Sequence, residues 1–591
     1  MEWQRLSGLL LWWYAWSLFY SHALLLTVYI VLSHLYSFSF EPNAFWTREY
    51  PGQEEIQDYL IQVAHKYQLY RHIRFNSSVE EARWDDNSQK WRVVIKRLGG
   101  KEAEIGETYM VQSDFLVSAV GQLNMPKYPN IRGLSTFQGK VMHSARWDWN
   151  YDFRGKRIGI IGEYVTRPSF RVEDTHDSGT GATAAQIIPE VVQSCKNLTV
   201  FQRTPAWVMP RHDAPITPMR QMIYKYVPFV RRRYRASLMD FREYVFDAAF
   251  DSQSTTHRHI TTISKGHMLA QLPGHSNIAL REKLTPNYPF SCKRILVSDD
   301  YYPAMTRDGV TLETGSIAEI TPTGVEVDNG SHYDIDLLIL ATGFRTTQFM
   351  YPIKIYGAGG YSLEEAWAQG ASAYLGITAQ NLPNFAMLYG PNTNLAHNSL
   401  ILQIEAQSLY INTLISAVLA SKRQGKTLRL EPKQEVVEEY NHEVQARLAN
   451  STFADPNCTS WFKDENGRIT TNWYGSAISY QNRTNFVDWN DFEILGTAAQ
   501  DLKKKGQTRW RRVVEETQVS NRMAGLASLG VIVACAAAFY GSRLRFTRRW
   551  RGKGNGAHVV GSFISSFHCI LWCRMSPRCF WLSSTACTWT A

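Results

Sequence analysis

The sequence predicts an α/β fold built on dinucleotide-binding βαβ units, and three stretches carry that expectation. Lys156 to Gly162 (KRIGIIG) is a short apolar run closed by glycine, followed by a helical stretch and a second apolar run, Leu198 to Trp207. Strand, glycine turn, helix, strand is the order of a unit that cradles a dinucleotide. Asp336 to Phe344 (DLLILATGF) is an unbroken apolar run ending in another glycine turn, as in a strand covered on both faces of a parallel sheet. Met110 to Pro129 passes from a strand-like stretch through Gly121 into a proline-bearing loop.

Size and composition agree. With 591 residues, 44% of them hydrophobic and 20% charged, the chain has ordinary globular composition and exceeds what one core serves. Its formal charge of +10 is a property of the end: Gly541 to Ala591 holds eight Lys or Arg and no Asp or Glu. A basic surface spread over a domain is thereby excluded, and no nucleic-acid partner is expected. Of the 8 cysteines, Cys195, Cys292 and Cys458 are scattered through the body without C-x-x-C spacing. No metal site is expected there, and the body reads as a reduced, intracellular protein.

Taken in order, Leu9 to Tyr36 is apolar and long enough to span a bilayer, but carries Ser, His, Tyr and Trp. Residues 1–32 are read as a candidate span or a mis-joined start. Glu54 to Tyr67 has apolar residues at helical spacing, and Trp91 to Leu98 alternates like a strand. Residues 151–325 form the unit that begins with KRIGIIG, and 326–495 begin with the second buried strand. After a linker at 496–523, residues 524–540 (AGLASLGVIVACAAAFY) are uncharged and followed by RLRFTRRWR, a candidate short membrane anchor with a positive flank. Residues 541–591 are basic and rich in Cys, Ser and Trp, without periodicity.

The sharpest motif runs from Phe137 to Asp148. Phe137, Gly139, His143, Trp147 and Asp148 fit F-x-G-x-x-x-H-x-x-x-W-[PD], and on this segment the chain resembles class B flavoprotein monooxygenases of the Baeyer–Villiger type. Further stretches are similar to that family: SCKRILVSDDYY (Ser291 to Tyr302), the A-T-G-F strand end, GPNTNLAHNS (Gly390 to Ser399), and CTSWFKDENGR with NWYGS (Cys458 to Ser476). The resemblance covers roughly residues 33–491. It implies two Rossmann-like domains, an FAD domain discontinuous over 33–150 and 326–495 and an NADPH domain over 151–325. It implies FAD and NADPH as cofactors, and O2 with a small-molecule ketone as substrates, the product being an ester or lactone.

The resemblance also assigns residues. His143 couples the motion of the two nucleotide domains. Arg203 and Thr204, at the end of the second strand of the NADPH unit, take the ribose 2′-phosphate. Lys293 reaches the nucleotide phosphate. Arg294 sits over the flavin, where a group cationic at any working pH stabilises negative oxygen. Gly343 and Asn392 belong to segments that the family places near cofactor.

Two departures stand out. The nicotinamide turn is interrupted: without residues 163–179 the text reads GIIGTGATAAQ, an intact fingerprint with Gly162, Thr180, Gly181 and Ala184 in place. Gly-Glu-Tyr and Ser-Gly at the two ends can be encoded with splice donor and acceptor sequences, so the insert is expected to be a retained intron. It should part the turn from the helix start that receives the phosphate. The family's opening G-x-G-x-x-G turn is also not found before Ser33, so the FAD domain is expected to lack its first βαβ unit. The acidic partner of the active-site Arg falls near Ile30, which is apolar. Two alternatives stay open: hydroxylation of nitrogen or sulfur, and an inactive chain that binds a nucleotide or a membrane. A secondary-metabolite ketone is the expected substrate class, and anchoring of an intracellular protein by a hydrophobic end the expected membrane association.

Overall fold

The computed structural model describes residues 32–99, 106–162, 181–458, 460–464 and 466–517, with a few isolated positions elsewhere. Helix α1 (Gln53–Lys66) forms where helical spacing places it and buries Ile56, Tyr59, Leu60, Val63 and Ala64. Tyr59 fastens it to the preceding segment: its hydroxyl accepts from the Phe38 N–H at 2.8 Å and donates to the Glu41 carbonyl at 2.6 Å. Strands β1 (Ser77–Asp85), β2 (Lys90–Arg97) and β3 (Thr108–Ser113) make an antiparallel meander. The short β4 (Leu116–Ser118) follows.

The central feature is a five-stranded parallel sheet. It contains β5 (Lys140–His143), β6 (Arg157–Ile161), β7 (Asn197–Phe201), β8 (Val310–Glu313) and β9 (Leu337–Leu340), in the order β8-β7-β6-β9-β5. Alternate residues of a strand face opposite sides. Ile158, Ile160, Leu337 and Ile339 pack on Ala184, Ala185, Ile187 and Ile188 of α2 (Gly181–Val191). Ile161, Leu338 and Leu340 pack on Ile317, Ile320, Val325 and Val327, which belong to a small antiparallel sheet. Cover on both faces explains the unbroken apolar run of β9.

Two strands of this sheet lie outside 151–325. β5 precedes that range and β9 follows it, and β9 sits between β6 and β5. The sheet therefore crosses both expected boundaries. Pairing order is a long-range property that an apolar run does not encode.

Helices α3 (Pro218–Tyr226) and α4 (Pro228–Phe250) meet at a proline. Further on, β10 (Lys354–Tyr356) adds in parallel beside β1, and β11 (Phe385–Met387) pairs in parallel with β4. Helix α5 (Leu400–Arg423) is capped by Ser399, whose hydroxyl accepts from the Ile401 N–H at 3.3 Å.

Cys292 and Cys458, buried and 166 residues apart in sequence, form a disulfide with a Cα–Cα distance of 6.3 Å. This corrects the expectation of a fully reduced body, since cysteine spacing is blind to a pairing of this range. Among the described residues no helix is long and apolar enough to cross a membrane. The candidate spans at 1–32 and 524–540 lie outside the described residues, apart from Leu32 and isolated positions, as do Ile30, Thr180 and the insert 163–179.

Candidate active site

The carboxyl ends of parallel strands are where α/β sheets receive ligands. β6 ends there at Gly162, and α2 begins there at Gly181. A Cβ on Gly162 would lie 3.5 Å from the Ala184 Cβ, and one on Gly181 would lie 3.8 Å from the Ala206 Cβ. The strand end and the first turn of the helix thus remain in van der Waals contact, although seventeen residues and Thr180 intervene in the chain. This corrects the expectation that the insert parts them: both ends are held by the apolar packing of β6 and α2.

β7 delivers Gln202, Arg203 and Thr204 to the same edge. Lys293 meets them from a distant loop, its Nζ donating to Thr204 Oγ1 at 2.8 Å and lying 5.2 Å from the centre of the Tyr288 ring. Arg203 is half-buried beside them. Two cations and a hydroxyl at the end of the second strand suit a 2′-phosphorylated nucleotide. A helix start facing a small-residue turn suits its pyrophosphate.

The fingerprint segment is pinned throughout. A Cβ on Gly139 would lie 2.7 Å from the Asp336 carbonyl oxygen and 2.6 Å from the Phe137 ring, so only glycine fits. Phe137 packs beneath the sheet, and Trp147 joins the core formed with α2. Asp148 accepts from Lys140 Nζ at 2.8 Å and from the Asn150 N–H at 3.1 Å. His143 ends β5, buried. Its Nδ1 accepts from the Ala145 N–H at 3.0 Å, leaving Nε2 to carry the proton, 3.4 Å from Thr342 Oγ1. Burial, with help from Arg146, lowers its pKa to about 4, so the ring is neutral at pH 7.

Thr342 and Gly343 follow β9, and Gly343 has φ +83°. Here two crossings of the chain between sheets run side by side. The Lys127 N–H donates to the Gly343 carbonyl at 2.9 Å, the Arg345 N–H to the Met125 carbonyl at 3.0 Å, and Thr342 Oγ1 to the Lys127 carbonyl at 2.7 Å. His143 therefore touches both crossings through Thr342.

Arg294 is exposed, although protein atoms crowd around it. Desolvation lowers its pKa, opposed by Tyr389 and Tyr36. Tyr36 is itself pushed up to about 12 by burial, opposed by Arg294, and Tyr389 is raised for the same reason. Both phenols are thus neutral donors. Among the described residues no carboxylate pairs with Arg294.

The loop Tyr389–Ser399 borders this region under backbone strain: Tyr389, Asn392 and Ala396 have φ of 57°, 56° and 57°. Such conformations persist where surrounding structure enforces them. Asn392 Nδ2 donates to the carbonyls of Ile469 and Asn472 at 2.8 and 3.0 Å, and Tyr389 OH donates to Asn394 Oδ1 at 2.8 Å. Glu243 of α4 accepts from Asn398 Nδ2 at 3.0 Å and from the Ala477 N–H at 3.2 Å. Four buried polar atoms here have no partner among the described residues: Asn392 Oδ1, Gln403 Oε1, Thr470 Oγ1 and Asn472 Nδ2. Orphaned groups cost about 1–3 kcal/mol each, and their clustering fits a polar ligand such as the flavin ring. A glycine-rich turn for the flavin pyrophosphate has no counterpart among the described residues.

The structure thus gathers Gly162, Gly181, Ala184, Arg203, Thr204 and Lys293 at one sheet edge. It places His143 and Gly343 at the crossings, and Arg294 near Tyr36 and Tyr389, next in sequence to Lys293. Sequence reasoning missed Tyr36, Tyr389 and Glu243. Each acts through a contact distant in sequence, and the only local signal was the position of Tyr389 just before GPNTNLAHNS.

Comparison with known proteins agrees with this geometry. Residues 36–354 match the model of the flavin-binding monooxygenase-like family. An FAD-binding monooxygenase of Aspergillus niger, ktnD, is 44% identical over 88% of this chain and 81% of its own. A Baeyer–Villiger monooxygenase of Streptomyces coelicolor is 36% identical over 80% and 85%. Among solved structures, OTEMO in complex with FAD and NADP superposes with a TM-score of 0.64 and 26% identity, over 79% of this chain and 91% of that one. Oxidised steroid monooxygenase bound to NADP gives 0.65 and 26%, over 83% and 92%.

Proposed function

The chain belongs to the flavin-binding monooxygenase-like family, as a flavin-dependent enzyme of the Baeyer–Villiger type working with FAD and NADP(H), and on that premise we propose that it inserts one atom of O2 into a ketone to give an ester or lactone. The observation that carries this reading is Arg294, an exposed guanidinium that interacts with Tyr36 and Tyr389 and is next in sequence to the Lys293 that reaches Thr204. When bound, the flavin and nicotinamide supply the redox chemistry. The chain's own residues bind, orient and exclude water. Lys293, Arg203 and Thr204 hold the nucleotide phosphate. Arg294 is a guanidinium, the side chain suited to holding positive charge, and it stabilises negative charge developing on the substrate oxygen. Tyr36 and Tyr389 stand near Arg294 with neutral hydroxyls. Neutral His143 bridges the chain crossings and sets their alignment.

The test supplies the purified chain with FAD, NADPH, isotopically heavy O2 and a panel of cyclic and open-chain ketones, amines and sulfides. An ester or lactone carrying one heavy oxygen supports the reading. NADPH consumption with amine or sulfide oxides as the only oxygenated products would replace it.

A further inference from the structure

One carboxylate collects donors from two segments that border the Arg294 region. Glu243 lies on α4, on the face that also carries Arg235, Met239 and Phe246 at helical spacing. That face is seated: Met239 is fully buried, Arg235 pairs with Glu515 at 2.5 Å, and the Phe246 ring lies 4.9 Å from the His397 ring. The Glu243 side chain, 12% exposed, therefore stands on a fixed helix. Its Oε1 accepts from Asn398 Nδ2 at 3.0 Å and from the Ala477 N–H at 3.2 Å, its Oε2 accepts from the Ile478 N–H at 3.4 Å, and His397 Nε2 lies 3.5 Å away. Burial opposes ionisation, yet hydrogen bonds from His397, Ser476 and Asn398 hold this carboxyl below the usual glutamate range. An ionised carboxylate only accepts, which suits the N–H groups that converge on it.

The two segments that Glu243 joins lie side by side. The Asn392 N–H donates to the Thr470 carbonyl, the Asn394 N–H to the Thr471 carbonyl and the Trp473 N–H to the Asn394 carbonyl, each at 2.9 Å. Helix α5 holds the early part of the loop: Gln407 Oε1 accepts from the Tyr389 N–H at 2.9 Å, and Gln403 Nε2 donates to the Thr393 carbonyl at 3.0 Å. Glu243 takes the other end, next to Ala396 with its φ of 57°. A residue other than glycine keeps such a conformation only where its surroundings enforce it. The tie also joins distant parts of the chain. Helix α4 stands between β7 and β8 in sequence, in the stretch that carries the nicotinamide side, whereas the loop and residues 469–478 follow β9.

We propose that Glu243 is a positioning residue for the flavin-dependent reaction, fixing the Tyr389–Ser399 loop and residues 469–478 as one platform beside Arg294. The inference rests on the reading of that platform as the seat of the flavin ring. Glu243 acts through the loop it holds, and a displacement of about 1 Å at a reacting group costs up to about a hundredfold in rate. A carboxamide replaces it poorly, because Gln offers one accepting oxygen and turns an NH2 group toward backbone N–H groups. Asp keeps both accepting oxygens, one methylene short.

The test compares the full-length, FAD-loaded protein with its Glu243→Gln, Glu243→Asp and Asn398→Ala variants, by amide hydrogen exchange and by anaerobic flavin reduction with NADPH. Glu243→Gln should speed exchange in 389–399 and 469–478 about tenfold, while β6 and β9 exchange as before. The limiting rate of flavin reduction should fall about tenfold with its dependence on NADPH concentration unchanged, and Glu243→Asp should recover part of that loss. Asn398→Ala removes one donor from the other side of the tie; it should act in the same direction and carries the test where Glu243→Gln does not fold. Unchanged exchange in the two segments would overturn the proposal. So would exchange raised equally in β6 and β9, which assigns Glu243 to general stability, or an unchanged limiting rate of reduction, whether or not the NADPH dependence weakens. An unaltered chain that takes up no FAD would overturn the flavin reading instead, and exchange in the FAD-free variants then decides the tie by itself.

Discussion

The two nucleotide sides of this molecule are built by different means. The nicotinamide side rests on five parallel strands whose alternate residues fill two cores. Its site residues stand at strand ends, so regular backbone hydrogen bonding places them. The flavin side, as described, has only two short parallel pairs, β4 with β11 and β1 with β10. Its functional groups ride on loops held by buried amides, strained backbone and ion pairs between distant segments. A regular sheet tolerates an interruption such as 163–179 because packing on both sides of the break survives. A loop-built site depends on a few polar ties, each of which is exposed to a single substitution.

That contrast gives an order of sensitivities. The largest effect is expected at Arg235 and Glu515, a buried pair at 2.5 Å in which the guanidinium also donates to the carbonyls of His34 and Ser37. Glu515→Ala strands a buried cation and should cost about 3–5 kcal/mol by urea unfolding; a loss below about 1 kcal/mol would break the comparison. Next, Arg294→Ala should lower product formation by about 10²–10³ while NADPH affinity stays unchanged, and an equal loss in both would move Arg294 to the nucleotide side.

Acid should act through two buried histidines. His143 is lowered from 6.5 to about 4 mainly by burial, and His34 to about 3 by burial and then Arg235. Both are neutral in the fold, while the unfolded chain protonates them near 6.5. Their contribution is thus full above pH 6.5 and is lost as pH falls through 4 for His143 and 3 for His34, by at most about 3–5 kcal/mol each. His143→Gln should flatten the part of the stability curve between pH 6.5 and 4, and an unchanged curve would mean that the ring is already charged. The smallest effect is expected on the sheet-built side. Lys293→Ala should raise the KM for NADPH about tenfold with little change in kcat and little effect on NADH. A fall in kcat alone would show that Lys293 serves its neighbour Arg294 instead.

Legibility in the sequence follows the same division. The apolar runs at 156–162, 198–207 and 336–344 located β6, β7 and β9, and the spacing of Glu54 to Tyr67 located α1 within a residue or two. Short-range pattern suffices there because burial repeats with the period of the element. The placement of β9 between β6 and β5 was not legible, nor was Tyr36 beside Arg294, nor the Cys292–Cys458 bridge. Each joins segments more than a hundred residues apart and leaves no local trace. Arg294 and His143 were legible only as members of motifs. The tyrosines near the one and the two crossings beside the other come from tertiary structure.

The paired crossings at Met125–Lys127 and Thr342–Arg345 have a mechanical consequence. A single connection would leave the two halves free to swivel about it. Two connections laced together by backbone hydrogen bonds should behave as a door hung on a double hinge, resisting twist and leaving one swinging motion soft. His143 stands beside both connections through Thr342. Opening and closing should therefore follow one repeatable arc, so that a nicotinamide carried by one half returns to the same place against the other after every turnover.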